Sequence, residues 1–179
     1  MQLSILFAIL QDMAAEGLAG RYMNFAALRF VKAYGRRHYD DAAVWCRRIA
    51  ECFCLIAVPP SYHEYLLGDL IDALPSVISW STVYDVLKDI EGRPQEVAVS
   101  MGCQLTASTV WHDLKLMQWY GNQGTHAHAF LKAEPVSADP HVFLATVRLL
   151  LLFCAVYGDQ TTNGAQAGDR VWPGLTSKL

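Results

Sequence analysis

The stretch Val142–Tyr157 constrains this chain most. It reads VFLATVRLLLLFCAVY, an apolar run in which Thr146 and Arg148 are the main interruptions. A helix that is apolar nearly all round must be covered on every side, by lipid or by the rest of a domain. The run is shorter than the about 20 residues a bilayer span needs, and Arg148 sits in its middle. It therefore reads as a buried central helix, and other elements must pack around it.

Those elements also read as helices. No long run alternates strictly between apolar and polar residues, so no strand is expected. Residues 3–18 carry apolar positions at helical spacing, and Gly17 and Gly20 mark an end. Asn24 is an N-cap candidate for a helix through Tyr34, with Gly35 at its C-terminus. Asp40 or Asp41 opens the next helix, which runs to about Ala57 and stops at Pro59-Pro60. Ser61 and Glu64 form a capping-box pattern for a helix that ends before Pro75. Further helices are expected over 79–91 and 94–102. Thr106 or Ser108 caps another through Tyr120, with a loop over 121–125. Asp139-Pro140 opens the last long helix, ending at Gly158. The prediction is an all-α, single-domain bundle of about seven to eight helices over residues 1–158. A polar tail, 159–179, packs on this domain or on a neighbouring subunit.

Composition limits what such a bundle does. The chain has 179 residues, of which 53% are apolar and 17% charged. That excludes a disordered chain, and it leaves either a large core or apolar surface covered by a partner. A homo-oligomer or a protein partner is the expectation. The run Leu3–Leu10 has no basic residue before it and is followed by Asp12 and Glu16, so it reads as an amphipathic helix rather than a secretory signal. With no export signal, Cys46, Cys52, Cys54, Cys103 and Cys154 are expected to be reduced thiols in the cytoplasm or nucleus.

Charge is unevenly spread. Residues 1–48 carry seven Lys and Arg against four acids, a formal +3, while the remaining residues carry seven against 13, a formal −6. Arg21, Arg29, Lys32, Arg36, Arg37, Arg47 and Arg48 face Asp40 and Asp41 alone between residues 21 and 48. Tyr22, Phe25, Phe30, Tyr34 and Tyr39 are interleaved with them. Guanidinium groups match phosphate geometry, and aromatic rings stack on exposed bases. Arg29, Lys32 and Arg36 share one helix face if the helix continues past Gly35. The functional expectation is non-enzymatic: region 21–48, through those seven cations, contacts a nucleic-acid backbone.

Other motifs point elsewhere. Segment 94–121 has the outline of a helix-turn-helix, with Ala98 and Gly102 at the small and turn positions and Gln118 and Lys115 on the candidate reading helix. Lys115 is that helix's one cation, which is poor for phosphate anchoring. Cys103 and His112 form the one nucleophile–base candidate, without an accompanying glycine loop. His126-Ala127-His128 lacks further ligands at zinc spacing. No catalytic residues, cofactor or metal are expected from these patterns.

Cys46-Arg47-Arg48-Ile49-Ala50-Glu51-Cys52-Phe53 resembles the BH3 pattern of Bcl-2-like apoptosis regulators, Leu-Arg-x-x-Gly-Asp-x-Phe. Ala50 takes the small position and Glu51 the acidic one, while Cys46 replaces the anchoring Leu. Asn122-Gln123-Gly124-Thr125 resembles the same family's Asn-Trp-Gly-Arg without its Trp and Arg. The resemblance implies a helical interaction module with a groove for a partner's amphipathic helix.

Overall fold

The computed structural model describes residues 7–8, 10–11, 14, 18–58, 60–77, 107–125 and 135–163, with backbone alone for 60, 75–77, 107–108 and 154–163. The fold is all-α, and no strand occurs among the described residues. From residue 18 onward five helices are described: α1 Leu18–Gly35, α2 Tyr39–Ala57, α3 Leu67–Val77, α4 Ala107–Thr125 and α5 Pro140–Asn163. The described residues between 7 and 14 are helical as well, and Leu10 is fully buried. The expected count of seven to eight helices is not confirmed among the described residues. The helices expected over 79–91 and 94–102 lie outside the described residues, as do 164–179 of the tail.

Helix α2 occupies the centre. It packs on α4 and α1 most extensively, and also on α3 and α5. Its inward residues are Ala42, Ala43, Cys46, Ile49, Ala50, Phe53, Cys54 and Ala57. Most are small, so several neighbours can approach one helix closely. Phe53 and Ile49 are fully buried. Each contributes about 1.5–3 kcal/mol by leaving water, and Phe53→Ala would cost about 3–5 kcal/mol. The ends of α2 follow the sequence signals. Asp40 and Asp41 lie in its first turn, where carboxylates complement the helix dipole. His38, rather than either Asp, is the N-cap, and no side chain caps the helix. The Val58 amide bonds back to the Cys54 carbonyl at 3.0 Å before the prolines.

Helix α5 is buried over most of its described length, but it is not the central helix, a place taken by α2, and Leu144 is exposed. Val142, Ala145, Thr146, Val147 and Leu149–Phe153 are all buried. Asp139 caps it, accepting from the His141 and Val142 amides at 2.8 and 3.3 Å, with Pro140 in the first turn. The helix continues past Gly158 to Asn163. No helix among the described residues is long and apolar enough to cross a membrane.

Three other expectations are corrected. Gly20 and Asn24 do not separate two helices. Both lie inside α1, whose stripe of Ala19, Met23, Ala26, Ala27, Phe30 and Ala33 is buried at helical spacing. Tertiary burial of that stripe outweighs the local cost of Gly20. Ser61 and Glu64 do not start an α-helix. Pro60–Tyr62 forms a 3-10 turn, α3 begins at Leu67, and Pro75 lies inside its last turn. There a proline forfeits one hydrogen bond near the helix end.

The loop expected over 121–125 is the end of helix α4. Gly121 and Gly124 face α2. A Cβ on Gly121 would collide with Arg47 Cβ and sit 3.2 Å from the Ala43 carbonyl oxygen. A Cβ on Gly124 would lie 2.8 Å from both Ala43 Cβ and the Asp40 carbonyl oxygen. These glycines bring two helix backbones together instead of turning the chain.

Candidate nucleic-acid interface

Helix α1 has two unlike faces. The stripe turned inward is apolar. The outer one carries Arg21, Phe25, Arg29 and Lys32, with Leu18, Tyr22 and Leu28 beside them, all exposed. No Asp or Glu occurs anywhere in α1. Phe25 is 46% exposed and Leu28 49%, unusually open for large apolar residues on a helix that also carries a full buried stripe.

The end of α1 sets Arg36 and Arg37. The helix ends at Gly35, and the Arg36 amide still bonds to the Lys32 carbonyl at 3.2 Å, so Arg36 caps the last helical turn. The Arg37 amide bonds to the Tyr34 carbonyl at 3.1 Å, and the His38 amide reaches the Ala33 carbonyl at 2.9 Å. This nested pair is a Schellman motif. Its left-handed position is filled by Arg37, with φ of 62°, and not by the expected Gly35. Both Arg36 and Arg37 are exposed.

Arg48 and Arg47 are neighbours on α2 with different surroundings. Arg48 is exposed and its guanidinium lies 5.2 Å from the Trp45 ring centroid. Arg47 is half-buried. Its Nε donates to Glu51 at 2.8 Å, and Nη1 donates to Asn122 Oδ1 at 2.5 Å and Thr125 Oγ1 at 3.5 Å. Arg47 thus ties α2 to α4. Among the described residues, no carboxylate pairs with Arg21, Arg29, Lys32, Arg36, Arg37 or Arg48.

The interleaved aromatics divide the same way. Phe30, Tyr34, Tyr39 and Phe143 form an inner cluster, with Tyr34 5.0 Å from Phe143 and 5.4 Å from Tyr39. Burial, then the neighbouring Tyr39 and Asp139, raise the Tyr34 phenol above its usual range. Tyr22 and Phe25 stay outside. Phe25 meets Trp45 edge-on at 5.3 Å, and Arg29 lies 5.0 Å from the Phe25 ring centroid. Trp45 went unnoticed in the sequence. Its i, i+3 spacing to Arg48 was the available signal.

The remaining candidates are placed as follows. Lys115 pairs with Asp72 of α3 at 2.7 Å and lies over Trp111, while Val110, Leu114, Met117 and Tyr120 of α4 are buried. Gln118 lies against Gly68 of α3. The described part of the helix-turn-helix segment therefore spends its cation on a surface ion pair with α3 and turns an apolar stripe into the bundle. His112 is exposed beside Trp111. Cys103, His126 and His128 lie outside the described residues. Among those described, no three His, Cys, Asp or Glu side chains cluster as metal ligands. Cys46, Cys52 and Cys54 are free, and burial pushes the Cys46 and Cys52 thiols up to about 12, which suppresses thiolate chemistry.

Comparison of the chain with protein-family models, with curated proteins and with solved structures returns no match.

Proposed function

We propose that the outer face of α1, with the turn at Arg36-Arg37 and Arg48 of α2, binds the phosphate backbone of a nucleic acid. One observation carries this reading: six exposed cations without carboxylate partners among the described residues, three of them on α1, which has no acid, two in the turn that follows it and one on α2. Arg47 and Lys115, by contrast, are answered by carboxylates at i+4 and across a helix contact. Phosphate oxygens are the natural partners for guanidinium groups left open. Arg47, with its hydrogen bonds already made, serves the fold in this reading.

The test is binding of labelled RNA or DNA by the full chain as salt is raised. Binding at low salt that weakens steeply with salt is expected, and replacing Arg29, Lys32, Arg36 and Arg37 by Gln should flatten the dependence. Absence of binding at low salt defeats the proposal. The reading includes an assembly of copies, since 53% apolar residues in the chain leave room for surface covered by a partner. Size in solution, measured with absorbance at 260 and 280 nm, reports self-association and co-purified nucleic acid together.

A second reading has its own supporting observation. The two segments that resemble Bcl-2-like motifs lie about 70 residues apart but meet, through the Arg47–Asn122 hydrogen bond. In this reading the chain is a module for a partner's amphipathic helix, and α2 fills the position next to α4. Cys46 and Ile49 are fully buried, so aspartate at either would test folding and not partner capture. A labelled peptide of residues 39–57 is the better probe, and unchanged anisotropy on adding the chain would sink the idea.

A further inference from the structure

The geometry points to a base-stacking site at Phe25 and Trp45 that selects single-stranded over double-stranded nucleic acid. This inference rests on the phosphate-binding reading of the same face and names its substrate class. Backbone binding needs cations alone and gives no reason for Phe25 to stand 46% exposed at the edge of Trp45, which is itself half-buried against the core. Here Phe25 of α1 and Trp45 of α2 stand edge-on, 5.3 Å apart with planes at 82°, outside the inner aromatic cluster. Each ring has a guanidinium over it, Arg29 at 5.0 Å and Arg48 at 5.2 Å. The cluster spans two helices and combines two aromatic groups with two planar cations.

Bases stack both on aromatic rings and on guanidinium planes. In a duplex the base faces are already covered by their neighbours, so the cluster can add affinity for unpaired strands alone. Holding each guanidinium against a ring also limits its freedom beforehand, which lowers the cost of fixing it on a base or phosphate. A lipid surface fits less well. Sinking Phe25 or Trp45 among acyl chains would carry the overlying guanidinium with it, and an isolated buried charge is costly.

The experiment uses the full chain, a fluorescein-labelled oligoadenylate, and the same strand annealed to oligouridylate. The single strand should bind more tightly than the duplex. Phe25→Leu, which keeps helix propensity and apolar bulk but removes the ring, should weaken the single strand about tenfold and leave the duplex unchanged. Tryptophan quenching by the single strand should fall with Trp45→Phe. Equal affinity for both strands, unchanged by Phe25→Leu, would overturn the stacking site while leaving phosphate binding standing. Failure to bind either strand at low salt would remove both. Retention on phosphatidylserine-containing vesicles without binding to either strand would assign the face to membrane instead.

Discussion

The α2–α4 contact and the outer face of α1 use arginine in opposite ways. At the inner contact Arg47 reaches Glu51, Asn122 and Thr125, while Arg148 of α5 makes a two-pronged pair with Asp113 of α4, its Nε donating to Oδ2 at 2.7 Å. On the outer face Arg29 and Arg48 lie over aromatic rings, and no carboxylate among the described residues meets them. Inner arginines are answered by polar groups of α4 and belong to the fold. Outer ones are left with capacity for an anion from outside. Net charge, close to neutral at −3, hides this division.

Removing the inner partners should have the largest effect. Asp113 is 4% exposed and answers Arg148, which is partly accessible. Asp113→Ala should cost about 3 kcal/mol, the lower end for breaking a buried pair, because Arg148 can turn toward water. Urea unfolding measures it, and a cost near zero would place the pair outside the stabilising set. Gly121→Ala should cost about 2 kcal/mol, because α2 and α4 must separate to admit a Cβ. Its midpoint should fall by the same assay. Gly35→Ala, with open space around its Cβ, supplies the control.

On the outer side the expected effects are smaller, and one changes sign. Arg37→Gly should stabilise the chain by about 1 kcal/mol, since glycine takes the left-handed conformation without strain. The same change removes a cation, so stability should rise as nucleic-acid affinity falls. Arg21→Gln and Lys32→Gln should each move stability by less than about 0.5 kcal/mol. A larger loss from either would mean that the outer face also holds the fold together.

Much of the fold was legible where a signal acts locally. Asp139-Pro140 opens α5, and Pro59-Pro60 follows the end of α2. Glycine was misread at 20, 121 and 124, because its local meaning is a break and its tertiary meaning is a close approach. The latter depends on which helix crosses it, and α4 meets α2 from far along the chain. The cations of the site were legible, while the aromatics were misgrouped. Starting a helix at Asn24 hides the register that separates outward Phe25 from inward Phe30 and Tyr34. From Leu18 onward, the 3.6-residue period places them on different faces.

The sharpest measurement compares adjacent residues. Arg47→Gln and Arg48→Gln remove the same charge one position apart, and each can be read by the salt dependence of oligoadenylate binding. Arg48→Gln should reduce the slope of log affinity against log salt by about 0.7 and leave the unfolding midpoint unchanged. Arg47→Gln should leave the slope unchanged and cost about 1 kcal/mol of stability, as its hydrogen bonds to α4 are lost. Equal slopes for the two variants would contradict the division between inner and outer arginines.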